Sequence, residues 1–165
     1  MGKSALLTKN QVLLEWAFQE SSSPRWRARY EGVRRNNQLE MLDAIGRHRG
    51  RLIEKYISPY EIFEIKTLDR AAWEKHAIMS EMGWRDTPVT LEEYLAGEVI
   101  AENDPRNIAK ILASGSDFEV TGYPIISMDP VHNIPVLIEG FTRIMAWIQR
   151  PASDSGYSPA AIICG

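Results

Sequence analysis

At 165 residues, with 44% hydrophobic and 25% charged side chains, the chain fits one globular domain with room for a helical extension. No apolar run approaches the roughly 18 residues that a membrane span needs. No secretory core follows the N-terminus, and the single cysteine, Cys164, excludes an internal disulfide or a cysteine metal cage, so a cytoplasmic protein is expected. The net charge of −3 argues against a general nucleic-acid coat, but it is unevenly spread: residues 25–55 carry +5, which leaves −8 for the rest.

Apolar residues from Leu6 to Glu20 recur at helical spacing, and Ser21-Ser22-Ser23-Pro24 ends that helix. The basic stretch follows, with Arg25, Arg27, Arg29, Arg34 and Arg35 interleaved with Trp26 and Tyr30. Guanidinium groups that displace counterions and rings that stack bases make it a candidate nucleic-acid surface, against an equally natural reading as a solvated helix face. Asn36 to Tyr56 reads as a second long helix that Gly46 and Gly50 can break. Tyr60 to Lys66 alternates at period two and predicts a strand, Leu68 to Met82 returns to helical spacing, and Thr90-Leu91-Glu92-Glu93 is a capping box opening another helix. Asp104 to Ala113 fits one more helix.

The last third changes character. Pro124 to Met128 and Pro135 to Glu139 predict strands around the turn-forming Asp129-Pro130-Val131-His132-Asn133, Phe141 to about Gln149 a helix, and Ala160 to Cys164 a buried final strand. The strand-to-helix junction is the best place for chemistry. Gly140 permits close backbone approach, first-turn amides of the helix point outward, Arg143 adds a guanidinium, and Glu139 can serve a divalent cation or an attacking water. Taken structurally, the same residues are a tight turn, a surface arginine and a helix-dipole partner. His48, His76 and His132 lack the spacing of a zinc site, and Trp16, Trp73, Trp84 and Trp147 read as core fillers.

The segments Tyr123-Pro124-Ile125-Ile126-Ser127-Met128-Asp129 and Pro135-Val136-Leu137-Ile138-Glu139-Gly140-Phe141-Thr142-Arg143-Ile144-Met145-Ala146 resemble the signature of the ParB/sulfiredoxin superfamily. There a strand, a hairpin and a strand-helix junction present a Gly-x-x-Arg turn to nucleotide phosphates. The resemblance implies a nucleotide contact at Gly140, Phe141, Thr142 and Arg143, and a secondary one at Arg106, whose Asn103-Asp104-Pro105-Arg106 setting is similar to the family's Asn-Pro-Arg element. Sulfiredoxins carry their reactive cysteine where this chain has Phe141, so sulfinic-acid reduction is not expected. With no helix-turn-helix before Gly165, neither is centromere-style clamp loading.

These readings give an α+β fold, a small mixed sheet of four or five strands packed by helices, with residues 1–57 a helical extension and 58–165 the ParB/sulfiredoxin-like domain. The expected activity is hydrolysis of ATP or a related NTP, DNA cleavage, or both. Glu139 and Arg143 would be catalytic, Glu139 would hold Mg²⁺, and DNA would lie on the arginines. The resemblance to small plasmid- and phage-borne members, fertility-inhibition factors among them, extends this to interference with conjugative DNA transfer and a partner protein of a DNA-transfer or partition system. The rival is a non-enzymatic inhibitor or adaptor that keeps the fold and binds DNA or protein.

Overall fold

Thr8 decides where the first helix begins. Its hydroxyl accepts from the Gln11 amide at 3.2 Å, and the Gln11 side chain accepts from the Thr8 amide at 2.8 Å, a reciprocal cap that fixes α1 at Lys9–Ser22. Leu6 and Leu7, expected inside that helix, therefore lie ahead of it. Ala5–Leu7 forms β1, paired antiparallel with β2 (Phe63–Thr67) through Leu7 opposite Phe63. A computed structural model describes residues 4–78, 90–95, 122–148 and 158–165.

After α1, Ser23 to Trp26 turn the chain into a 3-10 turn at Arg27–Tyr30, and α2 (Gln38–Tyr56) starts on an Asn37 side-chain cap. The break expected from Gly46 and Gly50 is a kink between them, at Arg49, where φ is −122° and ψ 16°. Beyond β2 the helical spacing from Leu68 gives α3 (Arg70–Lys75), and residues 79–82 of that stretch lie outside the described residues. The chain then turns at His76 into β3 (Ala77–Ile78), so the longer helix is corrected here. The Thr90 capping box is present, with Thr90 and Glu93 bonded reciprocally at 2.8 and 3.1 Å, and opens α4 (Leu91–Leu95).

The last third follows its sequence closely. β4 (Ile125–Met128) and β5 (Pro135–Glu139) form the hairpin, α5 spans Phe141–Ile148, and β6 is Ala160–Cys164. The sheet is mixed, in the order β1-β2-β6-β4-β5-β3, with β3–β5 and β4–β6 parallel and the other pairs antiparallel. Among the described residues it has six strands, about the four or five expected, with the two shortest, β1 and β3, at its edges. The class is α+β.

Ile125, Ile126 and Ser127 in β4 and Val136, Leu137 and Ile138 in β5 are all buried, so both faces of the central strands are covered. Trp16, Trp73 and Trp147 are core residues, as read from the sequence. One buried cluster runs from Val12 and Trp16 in α1 through Met41 and Ile45 in α2 to Ile162 and Cys164 in β6, so the helical segment shares its core with the sheet. Among the described residues no helix is long and apolar enough to cross a membrane.

Candidate functional site

The strand-to-helix junction has the backbone its sequence requires. Gly140 sits at φ +94°, and a Cβ there would stand 2.9 Å from the Cβ of Pro124, so neither the conformation nor the space admits a side chain. The Ile144 amide bonds the Gly140 carbonyl at 3.0 Å and closes the first turn of α5. Phe141 is a core residue, and Thr142 belongs to the same turn of backbone. Arg106 and its Asn-Asp-Pro-Arg setting lie outside the described residues, as does the helix expected over 104–113.

Helix α1 is docked on this junction. Three of its residues, Glu15, Trp16 and Gln19, share a face by their spacing. Glu15 accepts from the Tyr123 amide at 3.1 Å, and Gln19 donates to the Tyr123 carbonyl at 2.8 Å. The indole Nε1 of Trp16 donates to Oε2 of Glu139 at 2.9 Å, and Arg143 donates to Gln19 Oε1 and, at 3.4 Å, to Glu139 Oε1. Gly122, at φ +70°, brings the chain so close to α1 that a Cβ would lie 2.9 Å from Gln19 Cδ.

Burial pushes the Glu139 carboxyl above its usual range. The charge of Glu20 adds to the shift, and Arg143, Arg49 and the Trp16 hydrogen bond only partly offset it. Burial also lowers Arg143, against Glu139 and Glu15. As arranged, Glu139 does not fit a magnesium site, because its two oxygens face an indole N–H and a guanidinium. Among the described residues no three His, Cys, Asp or Glu side chains are grouped to hold a metal ion.

The arginine-rich segment is organised around a carboxylate that sequence reading left as an ordinary helix end. Glu20 is buried, with its side chain fully enclosed. Its Oε2 takes the Tyr30 hydroxyl at 2.9 Å and His48 Nδ1 at 2.7 Å, and its Oε1 takes Arg49 Nε at 2.5 Å. Trp26 lies over the same cluster. The Arg25 guanidinium is 4.4 Å from its ring centre, that of Arg49 4.6 Å, and the His48 ring 4.9 Å. The expected base-stacking role of both rings is therefore not what this arrangement offers, because Tyr30 is buried and Trp26 is packed within the segment.

Outside that hub the arginines differ. Arg34 pairs with Glu40 at 2.7 Å, and Arg35 bonds Ser22 Oγ at 3.1 Å and lies over Phe18. Arg27, Arg29 and Arg51 are exposed and make no ion pair among the described residues. Arg25 is exposed beside them.

Other titratable groups are also internal. Asp129 caps the hairpin loop, accepting from the Val131 and His132 amides at 3.0 and 2.8 Å; burial would raise its carboxyl, but those bonds, His132 Nδ1 and Lys55 hold it below the usual range. The thiol of Cys164 is a buried strand end, and burial pushes it up to about 12. Folded protein at neutral pH is expected to resist an alkylating reagent for hours and to react in minutes once urea unfolds it; fast native labelling, read by mass spectrometry, would refute the enclosure. Burial likewise holds His48 and His76 below their ordinary value, opposed at His48 by Glu20. The folded chain thus binds fewer protons than the unfolded one just below pH 6.5. The stability this carries is complete above that pH and is lost on acidification, so the thermal midpoint should fall from pH 7 to pH 5, and fall less in His76→Leu. An equal fall in both would mean that His76 titrates as in the unfolded chain.

The sequence singles out Glu139, Gly140 and Arg143, which the structure brings to one junction, but not Glu15, Gln19 and Glu20, which it places against that junction or the arginine turn. The available signal was i, i+4 spacing, which puts Glu15 with Gln19 and Trp16 with Glu20 on one side of the helix. Compared with models of protein families, with curated proteins and with solved structures, the chain matches none.

Proposed function

We propose that this protein is a non-enzymatic nucleic-acid-binding module, in which residues 25–51 contact the phosphate backbone and the Glu139-Gly140-x-x-Arg143 junction serves as the lock that holds α1 on the sheet. The observation that carries this reading is the contrast between the two sites. At the junction the charged groups are turned inward onto Trp16 and Gln19, whereas Arg27 and Arg29 stand exposed on a short 3-10 turn whose base is tied down by Glu20. Exposed guanidinium groups on a fixed turn gain phosphate contacts without first breaking internal ones. The kinship with ParB/sulfiredoxin proteins belongs to the proposal too, supported by the order β4, hairpin, β5, Gly140, α5. On that kinship rests an inhibitor or adaptor role in a DNA-transfer or partition system.

Arg25→Ala, Arg27→Ala and Arg29→Ala combined are expected to weaken DNA binding at least tenfold at low salt, uniformly across sequences, and to flatten the salt dependence by about 2–3 in log–log slope. Titrations at several salt concentrations measure both. An unchanged slope removes DNA from these arginines.

A second reading keeps the junction as the working part, binding nucleotide phosphates and hydrolysing an NTP or cleaving DNA. What favours it is that Glu139, Gly140 and Arg143 meet at one strand-to-helix turn. It requires Trp16 and Gln19 to release Glu139 and Arg143. A screen of purified protein against the common NTPs with Mg²⁺, run beside plasmid nicking, decides between the two: turnover that disappears in Arg143→Ala with the fold retained would establish the enzyme.

A further inference from the structure

The aromatic content of the basic segment decides which nucleic acid it suits. Binding to single strands without sequence preference depends on rings with an open face, because stacking supplies roughly 1–3 kcal/mol per base where backbone charge is sparse. Two rings lie within residues 25–35, and neither is open. Tyr30 is 6% exposed, with its hydroxyl committed to Glu20. Trp26 is only partly exposed, and the guanidinium groups of Arg25 and Arg49, together with the His48 imidazole, already lie against it.

Trp26 thus serves the segment from within. Its π face gathers Arg25 and Arg49 at 4.4 and 4.6 Å, which limits the freedom of two cations that would otherwise sweep through solvent. The carboxylate of Glu20 lies fully enclosed, bonded by Arg49, so its charge neutralises Arg49 and leaves the outer arginines of the turn to face outward. The result is a compact, ring-poor set of exposed cations at Arg25, Arg27 and Arg29, with Arg51 exposed on α2. The partner that matches such a set is the one with the densest phosphate charge and the least need of stacking. Duplex DNA carries about one charge per 1.7 Å of axis and keeps its bases stacked on one another.

We infer that the arginine turn is a docking surface for the backbone of duplex DNA rather than for single strands. The inference rests on the nucleic-acid reading above and adds the form of the ligand. The arginines position without reading bases, so recognition there is independent of sequence.

The test is a titration of the full chain with fluorescein-labelled 20-base-pair duplexes of two unrelated sequences, the matching 20-nucleotide single strands and an RNA duplex of the same length, at one salt concentration. Both DNA duplexes are expected to bind with equal affinity, at least tenfold more tightly than either single strand and more tightly than the RNA duplex. Trp26→Leu, which removes the ring that gathers Arg25 and Arg49, and the milder Trp26→Phe should each weaken duplex and single-strand binding by the same factor, within about twofold of each other. Single strands binding as tightly as the duplex overturns the inference, as does a loss of single-strand affinity at least fivefold greater than the loss of duplex affinity in either Trp26 variant, with an unchanged far-ultraviolet spectrum. A preference for the RNA duplex overturns the choice of DNA. If no nucleic acid binds at all, the nucleic-acid reading itself fails.

Discussion

Glu20→Ala is expected to destabilise the protein by about 3–5 kcal/mol, a large part of the 5–15 kcal/mol that holds a typical domain together. The side chain is fully enclosed and accepts from Tyr30, His48 and Arg49, groups brought together from the 3-10 turn and from α2. Removing the carboxylate leaves the Arg49 guanidinium, 17% exposed, beside a cavity with no counter-charge, and strands the Tyr30 hydroxyl in a buried position. Glu20→Gln keeps the volume and one acceptor, so its cost should be about half as great. Urea titrations of the three proteins measure the order. A loss below about 1 kcal/mol for Glu20→Ala would show that α1, the turn and α2 are held by their apolar contacts alone. The turn would then not be the fixed platform that its proposed role requires.

What could be read in advance followed the range of the interaction responsible. The hairpin of β4 and β5, the glycine junction and the run from Ala160 to Cys164 are written in neighbouring residues: apolar stretches bounded by proline, Asp129 and Gly140. Thr90 with Glu93 was legible for the same reason. By contrast β1 and β3 have three and two residues and no measurable period, and they exist because β2 and β5 offer partners. The capping box at Thr8 is also local, but Leu6 and Leu7 continue the apolar helical spacing past it. The same limit applies to the candidate site. Periodicity marks Trp16 as buried yet cannot say that its indole meets a carboxylate 123 residues away, or that Gln19 meets Arg143. An arginine next to a glycine turn looks available to a phosphate until the helix that covers it is seen.

The junction therefore yields the prediction that best separates a lock from a catalytic site. Arg143 and Glu139 are 17% and 19% exposed and lie 3.4 Å apart, so Arg143→Met should cost about 3 kcal/mol by leaving the carboxylate enclosed without its cation. Glu139→Gln still offers an oxygen to the Trp16 indole, and Gln19 still accepts from Arg143, so its cost should be nearer 1 kcal/mol. The double variant should cost about 2 kcal/mol rather than the sum of about 4, a coupling of about 2 kcal/mol. The pH dependence has a definite sign. Glu139 is raised above its unfolded value, so the stability it contributes is present below the ordinary carboxylate range and is lost as pH rises through its folded value. Without Arg143 the carboxyl is pushed higher still, so Arg143→Met should recover part of its loss between pH 7 and pH 5, while the double variant should not. Denaturant titrations at the two pH values give all of these quantities. If the single costs simply add in the double variant, the pair is not a lock. If instead folded Glu139→Gln loses about 10²-fold in nucleotide turnover, the carboxylate works on a substrate and the enzyme reading displaces the one proposed.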